Sequence, residues 1–327
     1  MSADDNRLRL TILGGFLGAG KSTWLRHQLF VKTYDKPHVI VNEMATHAVD
    51  DALLAGAREL DVLAGGCVCC DQKDEMIALL HRICNDRSRS QDGPQTRQLV
   101  FEMSGIADPG QVMAAVQDDQ VLARHIVLEE IIVVVDALHG LGQLESEALA
   151  RVQIEAADRI IITKTDSCQP PALASLIATL RQINPSQDFC VSVFGVEDVL
   201  PDLPSVPPMA LPKLNDDEGL EPLSSLPLNL DEFSFDGDVW VGFSIWLSAM
   251  LHTHGDRLVR VKGVVRTPTG RLLLQSVRRV MQAPERIPAA PDMVEQSSDN
   301  TVVLIGRGIE PLRIATSLRE TVKKTRS

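Results

Sequence analysis

The sequence predicts an α/β fold in which a doubly wound, mostly parallel sheet is followed by a smaller α+β domain. Short apolar runs rich in β-branched residues alternate with helical stretches from residue 8 to about residue 195. Runs such as Ile131–Val135 are apolar at every position. This pattern is typical of parallel strands that helices cover on both faces. A proline-rich stretch then separates this region from the remainder of the chain.

We expect seven strands in the larger domain: Leu8–Leu13, His38–Val41, Leu60–Leu63, Leu99–Phe101, Ile131–Val135, Arg159–Thr163 and Phe189–Val193. The predicted domains are residues 1–199 and 231–327, and the prolines and weak periodicity of residues 200–230 indicate a linker. In the second domain the pattern predicts a helix over Val239–Met250, strands near Leu258–Arg266 and Thr301–Ile305, and a closing helix from Pro311.

Composition narrows the classes of partner. The chain of 327 residues has a formal net charge of −12, which disfavours binding to nucleic acid or to an anionic membrane. No stretch approaches the ~20 apolar residues that span a bilayer, and no apolar leader opens the chain. We therefore expect a cytoplasmic protein, monomeric or homodimeric, whose six cysteines do not form structural disulfides.

The segment Gly15-Phe-Leu-Gly-Ala-Gly-Lys-Ser22 matches the GxxxxGK[ST] phosphate loop at every position. It follows the first predicted strand and precedes a helical stretch, Thr23–Phe30, so phosphates would lie at a helix N-terminus. In such a loop Lys21 places a positive charge on the β- and γ-phosphates, and the Ser22 hydroxyl ligates Mg²⁺. The sequence therefore predicts a nucleoside triphosphate site.

A carboxylate at a strand end is the second feature that such a site requires, because it holds the magnesium ion. Glu102 closes the strand Leu99–Phe101. Gly105 follows three residues later, where its backbone N–H can meet a γ-phosphate. Asp136, after Ile131–Val135, is the rival carboxylate. We prefer Glu102 because a switch-like segment comes directly after it.

The third feature is Thr163-Lys-Thr-Asp166, placed directly after a predicted strand, where P-loop GTPases carry the guanine-reading motif [NT]KxD. Asp166 would accept hydrogen bonds from the guanine N1 and N2 donors. Adenine presents the opposite pattern, so a carboxylate here would lack its partners with ATP. The motif therefore favours GTP over ATP.

The fourth feature is Gly65-Gly-Cys-Val-Cys-Cys70, in the loop after Leu60–Leu63. Three thiols within four residues are able to converge on one soft or borderline cation such as Zn²⁺, Co²⁺ or Cu⁺. Three protein ligands leave an open coordination position, which suits a metal ion that is passed on. A redox pair or reactive free cysteines are the alternatives.

Together these motifs and Asn42-Glu43 resemble, in order and spacing, the CobW-like metallochaperone GTPases, relatives of the nickel-insertion GTPases of hydrogenase and urease maturation. Trp246–Leu251 and Arg260–Gly263 resemble the C-terminal domain of that family. The resemblance therefore extends over nearly the whole chain.

The resemblance implies a slow GTPase that hydrolyses GTP to GDP and phosphate with Mg²⁺. It gives Lys21 and Glu102 a catalytic role. It makes Ser22 and Glu102 the residues that bind Mg²⁺. It places the transferred Zn²⁺ or Co²⁺ on Cys67, Cys69 and Cys70, with Glu43 at the switch edge. The implied nucleotide-binding residues are Gly15, Gly18, Ala19, Gly20, Lys21, Ser22, Thr23, Gly105, Thr163, Lys164 and Asp166.

Three features depart from the family pattern. The switch segment Met44–Asp50 lacks two glycines and the second glutamate, and it contains His47, a candidate replacement ligand. The linker 200–230 has no histidine, although many relatives carry a histidine-rich stretch. Thr163 replaces the usual asparagine, which removes one hydrogen-bonding group from the base loop. The altered switch leaves the metal preference open.

The function predicted from the sequence is a GTP-hydrolysing metallochaperone that binds Zn²⁺ or Co²⁺ on the CxCC thiolates and transfers it to a client metalloprotein. Two alternatives remain open. One is a regulatory GTP switch in which the cysteines form a redox sensor. The other is a non-hydrolysing assembly factor for one particular metalloenzyme.

Overall fold

The computed structural model describes residues 6–43, 57–64, 73–89, 97–185, 188–212, 223–233, 237–255, 257–267, 270–277, 279–287 and 300–325. The chain divides into two compact units, Asn6–Gly219 and Leu220–Ser327. The boundary near residue 220 falls inside the stretch that the sequence analysis assigned to a linker. The two units are described separately below.

The larger unit is built on a mixed sheet. Its described strands are β1 (Leu8–Gly15), β2 (His38–Glu43), β3 (Glu59–Ala64), β4 (Gln98–Glu102), β5 (Ile126–Asp136), β6 (Arg159–Thr163), β7 (Asp188–Val193) and β8 (Val196–Asp198). Their order in the sheet is β3-β2-β4-β1-β5-β6-β7-β8. All neighbouring pairs are parallel except the hairpin β7–β8. The predicted doubly wound α/β sheet is therefore confirmed.

Helices connect these strands. Those in the described part of the larger unit are α1 (Lys21–Phe30), α2 (Lys73–Arg89), α3 (Pro109–Asp118), α4 (Leu122–His125), α5 (Gly140–Ser146), α6 (Ala148–Ala156) and α7 (Pro170–Ile183). The central strands are buried almost throughout, as their uninterrupted apolar runs predict.

The strand order positions the site. β1 lies between β4 and β5, so the connections from β1 and from β4 leave toward opposite edges of the sheet. Ligands of open α/β sheets bind at such a switch point, beyond the carboxyl ends of the strands. Because β1, β4, β5 and β6 are parallel, the loops that follow them meet at one edge.

The smaller unit pairs an antiparallel sheet with two described helices, α8 (Gly237–His254) and α9 (Pro311–Thr325). Its main strand order is β12-β11-β10-β14-β9, and β13 also pairs with β11. The helices pack on the sheet around a core that includes Phe243, Trp246 and Leu304. The described strands are β9 (Leu223–Asn229), β10 (Leu258–Thr267), β11 (Gly270–Val277), β12 (Val280–Met281), β13 (Glu285–Ile287) and β14 (Thr301–Arg307).

The strand β9 corrects the predicted extent of the linker. It pairs antiparallel with β14, with Pro227 opposite Val303. A proline cannot donate to the ladder, but an edge strand accepts it, and β9 is at the edge of the sheet. Residues 200–212, by contrast, contain no helix or strand.

Among the helices of the described residues, none combines the length and the apolarity that crossing a bilayer would require.

Candidate functional site

The loop after β1 is shaped by three glycines in left-handed or otherwise positive-φ backbone, Gly15 (φ 133°), Gly18 (φ 75°) and Gly20 (φ 94°). A Cβ on Gly15 would lie 2.3 Å from the carbonyl oxygen of Val134 on β5, so only glycine fits there. The loop leads directly into α1 at Lys21. The observed strand, loop and helix match the context that the phosphate-loop motif requires.

Lys21 lies over this loop. Its ammonium group donates to the carbonyl oxygens of Gly15 at 2.9 Å and Phe16 at 3.3 Å. The side chain is thereby held above the concave face of the loop at the N-terminal end of α1, where the helix dipole also attracts an anion.

Glu102 ends β4 next to the phosphate loop. It is only 3% exposed, and the Ser22 hydroxyl donates to its Oε1 atom at 2.6 Å. A hydroxyl and a buried carboxylate form a set of hard oxygen donors, which fits Mg²⁺ and does not suit a soft metal ion. The fold brings these two residues into contact although they are 80 positions apart in the sequence.

The rival carboxylate, Asp136, is engaged elsewhere. It ends β5, and Lys164 Nζ donates to its Oδ2 atom at 2.6 Å while His139 Nδ1 lies 2.9 Å from the same atom. Burial raises the pKa of Asp136, but the hydrogen bonds from Lys164, His139 and the Leu138 amide outweigh burial, so the pKa lies below its usual range. Asp136 is therefore a charged anchor for Lys164.

The segment after Glu102 packs on the phosphate loop. Ser104 and Ala107 close a turn in which the Ala107 amide donates to the Ser104 carbonyl at 3.1 Å. A Cβ on Gly105 would lie 2.6 Å from the Leu17 nitrogen. Gly105 is therefore the residue that permits the two loops to approach this closely.

The predicted base loop follows β6 and is tied to the phosphate loop. The Thr163 hydroxyl donates to the carbonyl of Ala19 at 2.6 Å, and Lys164 Nζ donates to the carbonyl of Gly18 at 2.9 Å. Asp166 lies in an exposed short turn, Thr165–Ser167, where the Ser167 hydroxyl donates to its carboxylate at 3.2 Å. The threonine that replaces asparagine thus still contacts the phosphate loop.

These loops enclose a cavity of about 560 Å³. Its lining brings together residues from the phosphate loop, the end of β2, the segment after β4 and the base loop: Leu17, Gly18, Gly20, Lys21, Ser22, Thr23, Asn42, Glu102, Met103, Ser104, Gly105, Ile106 and Lys164. Thr163 and Ala19 lie behind this lining, and Asp166 is not part of it. The volume suits a ligand of nucleotide size.

The predicted metal ligands lie mostly outside the described residues. Cys67, Cys69 and Cys70, and the altered switch Met44–Asp50 with His47, fall in ranges that the structure does not describe. Glu43 ends β2, and its side chain is likewise not described. Within the described ranges, no group of three or more histidine, cysteine, aspartate or glutamate side chains is placed to hold a metal ion.

Two protein-family models match this chain, one in each unit. The family model for the CobW/HypB/UreG nucleotide-binding domain matches residues 9–191. The family model for the cobalamin synthesis protein CobW C-terminal domain matches residues 233–322. The chain belongs to the CobW/HypB/UreG family. The resemblance drawn from the sequence motifs is thereby confirmed.

Relatives of this CobW-family chain include proteins named for zinc. The zinc chaperone YjiA of Escherichia coli is 37% identical over 162 residues, which cover 49% of this chain and 50% of YjiA. The zinc-regulated GTPase metalloprotein activator 1 of Schizosaccharomyces pombe is 32% identical over 183 residues, 54% of this chain and 43% of that protein. The chain thus spans about half the length of these curated relatives.

A solved structure extends the likeness beyond the aligned half. Zn(II)-bound YjiA GTPase from E. coli matches the CobW-family chain with a TM-score of 0.60 and 25% sequence identity. The match covers 97% of this chain and 99% of that one. Both units of the fold therefore have counterparts in a solved protein.

Three residues of the site have roles that the sequence analysis did not predict. Asn42, named only within the family resemblance, lines the cavity, and Asp136, named as the rival carboxylate, anchors Lys164. Gln153 was missed altogether; it lies on α6 and donates to the segment after β4. Asn42 stands at a strand end, which is a signal that a site search can use. Gln153 gives no comparable signal, because it lies mid-helix and 46 residues from the Ala107 carbonyl that it contacts.

Proposed function

We propose that this CobW-family chain is a GTP-hydrolysing metallochaperone that binds Zn²⁺ and transfers it to a client metalloprotein. The proposal assigns GTP and Mg²⁺ to the cavity at the carboxyl edge of the large sheet. It assigns the transferred zinc to the thiolates of Cys67, Cys69 and Cys70, with Glu43 beside them.

The assignment of GTP and Mg²⁺ to this cavity rests on one observation: Lys21 and the Ser22–Glu102 pair line the same cavity. A triphosphate bound in the loop would accept hydrogen bonds from the Lys21 ammonium group, which would then no longer donate to the Gly15 and Phe16 carbonyls. Mg²⁺ held through Ser22 and Glu102 would neutralise charge on the phosphates. The other residues of the loop supply backbone N–H donors.

Hydrolysis under this proposal transfers the γ-phosphoryl group to water and forms GDP and phosphate. The reaction needs little covalent chemistry from the protein, because positioning and charge stabilisation provide most of the rate. Lys21 and the amides of the phosphate loop stabilise charge on the phosphoryl oxygens. Gly105 lines the cavity, and under this proposal its backbone N–H donates to the γ-phosphate.

Guanine is the proposed base. Asp166 is exposed in the turn after β6, where its carboxylate has room to accept from the N1 and N2 donors of guanine. Thr163 and Lys164 hold the phosphate loop through Ala19 and Gly18, so the base loop and the phosphate loop have a fixed separation. The S. pombe relative, zinc-regulated GTPase metalloprotein activator 1, is itself named a GTPase, which supports the same choice.

Zinc is the proposed cargo. Thiolates in a CxCC cluster suit Zn²⁺, and relatives at 37% identity or below are named zinc chaperones. The cysteines that the structure describes are poor competitors, because burial disfavours the metal-binding thiolate. It raises the pKa of Cys84 and of Cys190 to about 11, and it raises the pKa of Cys168 as well. Cobalt, the second metal suggested by the motif, becomes a competitor to be measured.

Sheet order supports communication between the two sites. β2 and β4 are neighbours, with Val41 opposite Glu102. Glu43, two residues beyond Val41, ends β2 at the edge where Glu102 meets the phosphate loop. A nucleotide that changes this edge would therefore act close to the zinc ligands. Couplings between sites are typically ~1–3 kcal/mol, which corresponds to about 5- to 150-fold in affinity.

Steady-state phosphate release from GTP and from ATP tests the proposed GTP hydrolysis. The proposal expects turnover with GTP, little turnover with ATP, and a loss of turnover of at least about a hundredfold in Lys21→Ala. Lys323→Ala, an exposed lysine on α9, is the matched control and should leave the rate unchanged. Undiminished turnover in Lys21→Ala would contradict the site. Tight GTP binding without phosphate release would favour the non-hydrolysing assembly factor.

A further inference from the structure

Gln153 is a buried polar side chain that the proposed chemistry does not use. It lies on α6 and is 1% exposed. Its Nε2 atom donates to the carbonyl oxygens of Ala107 at 2.8 Å and Gly105 at 3.3 Å. Both acceptors belong to the segment between Glu102 and α3. A buried amide aimed at two backbone carbonyls of one turn therefore connects α6 to the edge of the nucleotide cavity.

The helix that carries Gln153 is itself held in place by buried hydrogen bonds at both ends. Near its start, Arg151 Nε donates to the Leu144 carbonyl at 2.6 Å. At its C-terminal end, Asn184 Nδ2 donates to the carbonyls of Ile154, Glu155 and Ala157 at 2.8 to 3.2 Å. Gln153 thus projects from a helix that is tied to α5 at one end and to the residue that follows α7 at the other.

The two hydrogen bonds fix the orientation of the turn. Because peptide groups are planar and trans, holding the Gly105 carbonyl toward α6 fixes the Gly105–Ile106 peptide group, which directly follows the peptide group that carries the Gly105 N–H. The Ser104 carbonyl accepts from the Ala107 amide inside the turn, so the Gly105 N–H points out of the turn. Gly105 lines the cavity and packs on Leu17 of the phosphate loop.

We propose that Gln153 is a positioning residue that holds the Ser104–Ala107 turn against the phosphate loop, so that the site distinguishes GTP from GDP by its γ-phosphate. The inference rests on the proposed GTP binding. Gln153 does not touch the nucleotide. It acts through Gly105, whose backbone N–H meets a γ-phosphate that GDP lacks.

The test is the ratio of two affinities, measured with the full chain and Mg²⁺. The ligands are GDP and a GTP analogue with an imido bridge between the β- and γ-phosphates. Gln153→Met keeps the length of the side chain but removes both donors. We expect its affinity for the analogue to fall about tenfold, as the loss of two hydrogen bonds predicts, while GDP affinity changes less than about twofold.

The control is Gln143→Met on α5. Gln143 lines the same small apolar cavity as Gln153 but is partly exposed. Its ratio of affinities should equal that of the wild type. A merely structural role for Gln153 would lower both affinities together, or the melting temperature alone, and would overturn the inference. Unchanged affinities in a folded Gln153→Met protein would overturn it equally.

Gln153→Leu provides a second variant should the methionine variant unfold. Leucine also lacks the two donors, so the same loss of the ratio is expected. Binding of neither nucleotide by the wild type would overturn the proposed function and this inference with it. A wild type that prefers the analogue, with variants that retain the preference, would overturn the role of Gln153 alone.

Discussion

At the scale of single residues, Asp166 carries the proposed choice of base. In the proposed complex the carboxylate would accept two hydrogen bonds from guanine, whereas xanthine offers a carbonyl oxygen in place of the exocyclic amine. An asparagine at this position is able to donate to that carbonyl. The side chain therefore sets which purine finds all its partners in the site.

We predict that Asp166→Asn lowers GTP affinity at least about tenfold and raises the affinity for xanthosine triphosphate. Competition between the two labelled nucleotides at equilibrium measures the change. Asp188→Asn, at an exposed position at the start of β7, is the matched control. Equal losses for both purines would show that Asp166 shapes the loop without reading the base.

Asp136 contributes through its charge. Because its pKa in the folded chain lies below the usual range, the stabilisation is present above about pH 4 and is lost as pH falls through the folded-state pKa. At neutral pH we expect Asp136→Asn to lower the free energy of unfolding by about 1.5–3 kcal/mol, because a charged hydrogen bond to Lys164 is lost.

Urea unfolding at a series of pH values checks this expectation. The difference between wild type and Asp136→Asn should shrink as pH falls from about 5 toward 2. A difference that is constant over this range would mean that the carboxylate is not charged in the folded chain.

At the scale of elements, close packing of two loops sets the requirement for glycine. A Cβ on Gly105 would meet the Leu17 nitrogen at 2.6 Å, so Gly105→Ala must separate the turn from the phosphate loop. We predict at least a tenfold loss of affinity for the GTP analogue, since both the turn and the loop contact the phosphates in the proposed complex.

Gly142 on α5 offers the matched substitution, because nothing lies within 4 Å of a Cβ built there. Gly142→Ala should leave nucleotide affinity unchanged and stabilise the helix by up to about 1 kcal/mol. Equal nucleotide affinities in the two alanine variants would show that the approach of the turn to the loop is unimportant for binding.

The predictable part of the fold was the part with strong periodicity. Every predicted strand of the large sheet is present, because buried parallel strands carry uninterrupted apolar runs. The strands β8, β9 and β11–β13 were missed, since β9 contains Pro227 and the others are short or mixed in polarity. Propensity is a weak guide where the partner strand decides.

The candidate site also has a part that the sequence predicted and a part that it did not. The phosphate loop, Glu102 and the base loop were identified because each is a short motif at a strand end. The Thr163 bond to Ala19 and the Gln153 bonds to the turn join residues that are 46 to 144 positions apart. Such contacts depend on the order of the strands in the sheet, and the sequence pattern alone does not predict that order.

At the scale of the whole molecule, the residues that line the nucleotide cavity all lie between Leu17 and Lys164. The described core clusters of the two units share no residue. We therefore predict that a chain ending at Gly219 binds GTP within about twofold of the full-length affinity. Fluorescence titration of both proteins measures it, and a large loss would assign the second unit a part in nucleotide binding.

The central claim is that the nucleotide state controls zinc binding. The most direct measurement is the Zn²⁺ affinity of the reduced, full-length protein with Mg²⁺ and either GDP or the GTP analogue, by competition with a chromophoric chelator, with Co²⁺ as the competing metal. The account predicts one-to-one binding that changes about 5- to 150-fold between nucleotides. Cys69→Ala should abolish this binding, and Cys190→Ala should preserve it. Zinc binding that is indifferent to both the nucleotide and Cys69 would contradict the account and favour the redox-sensing switch.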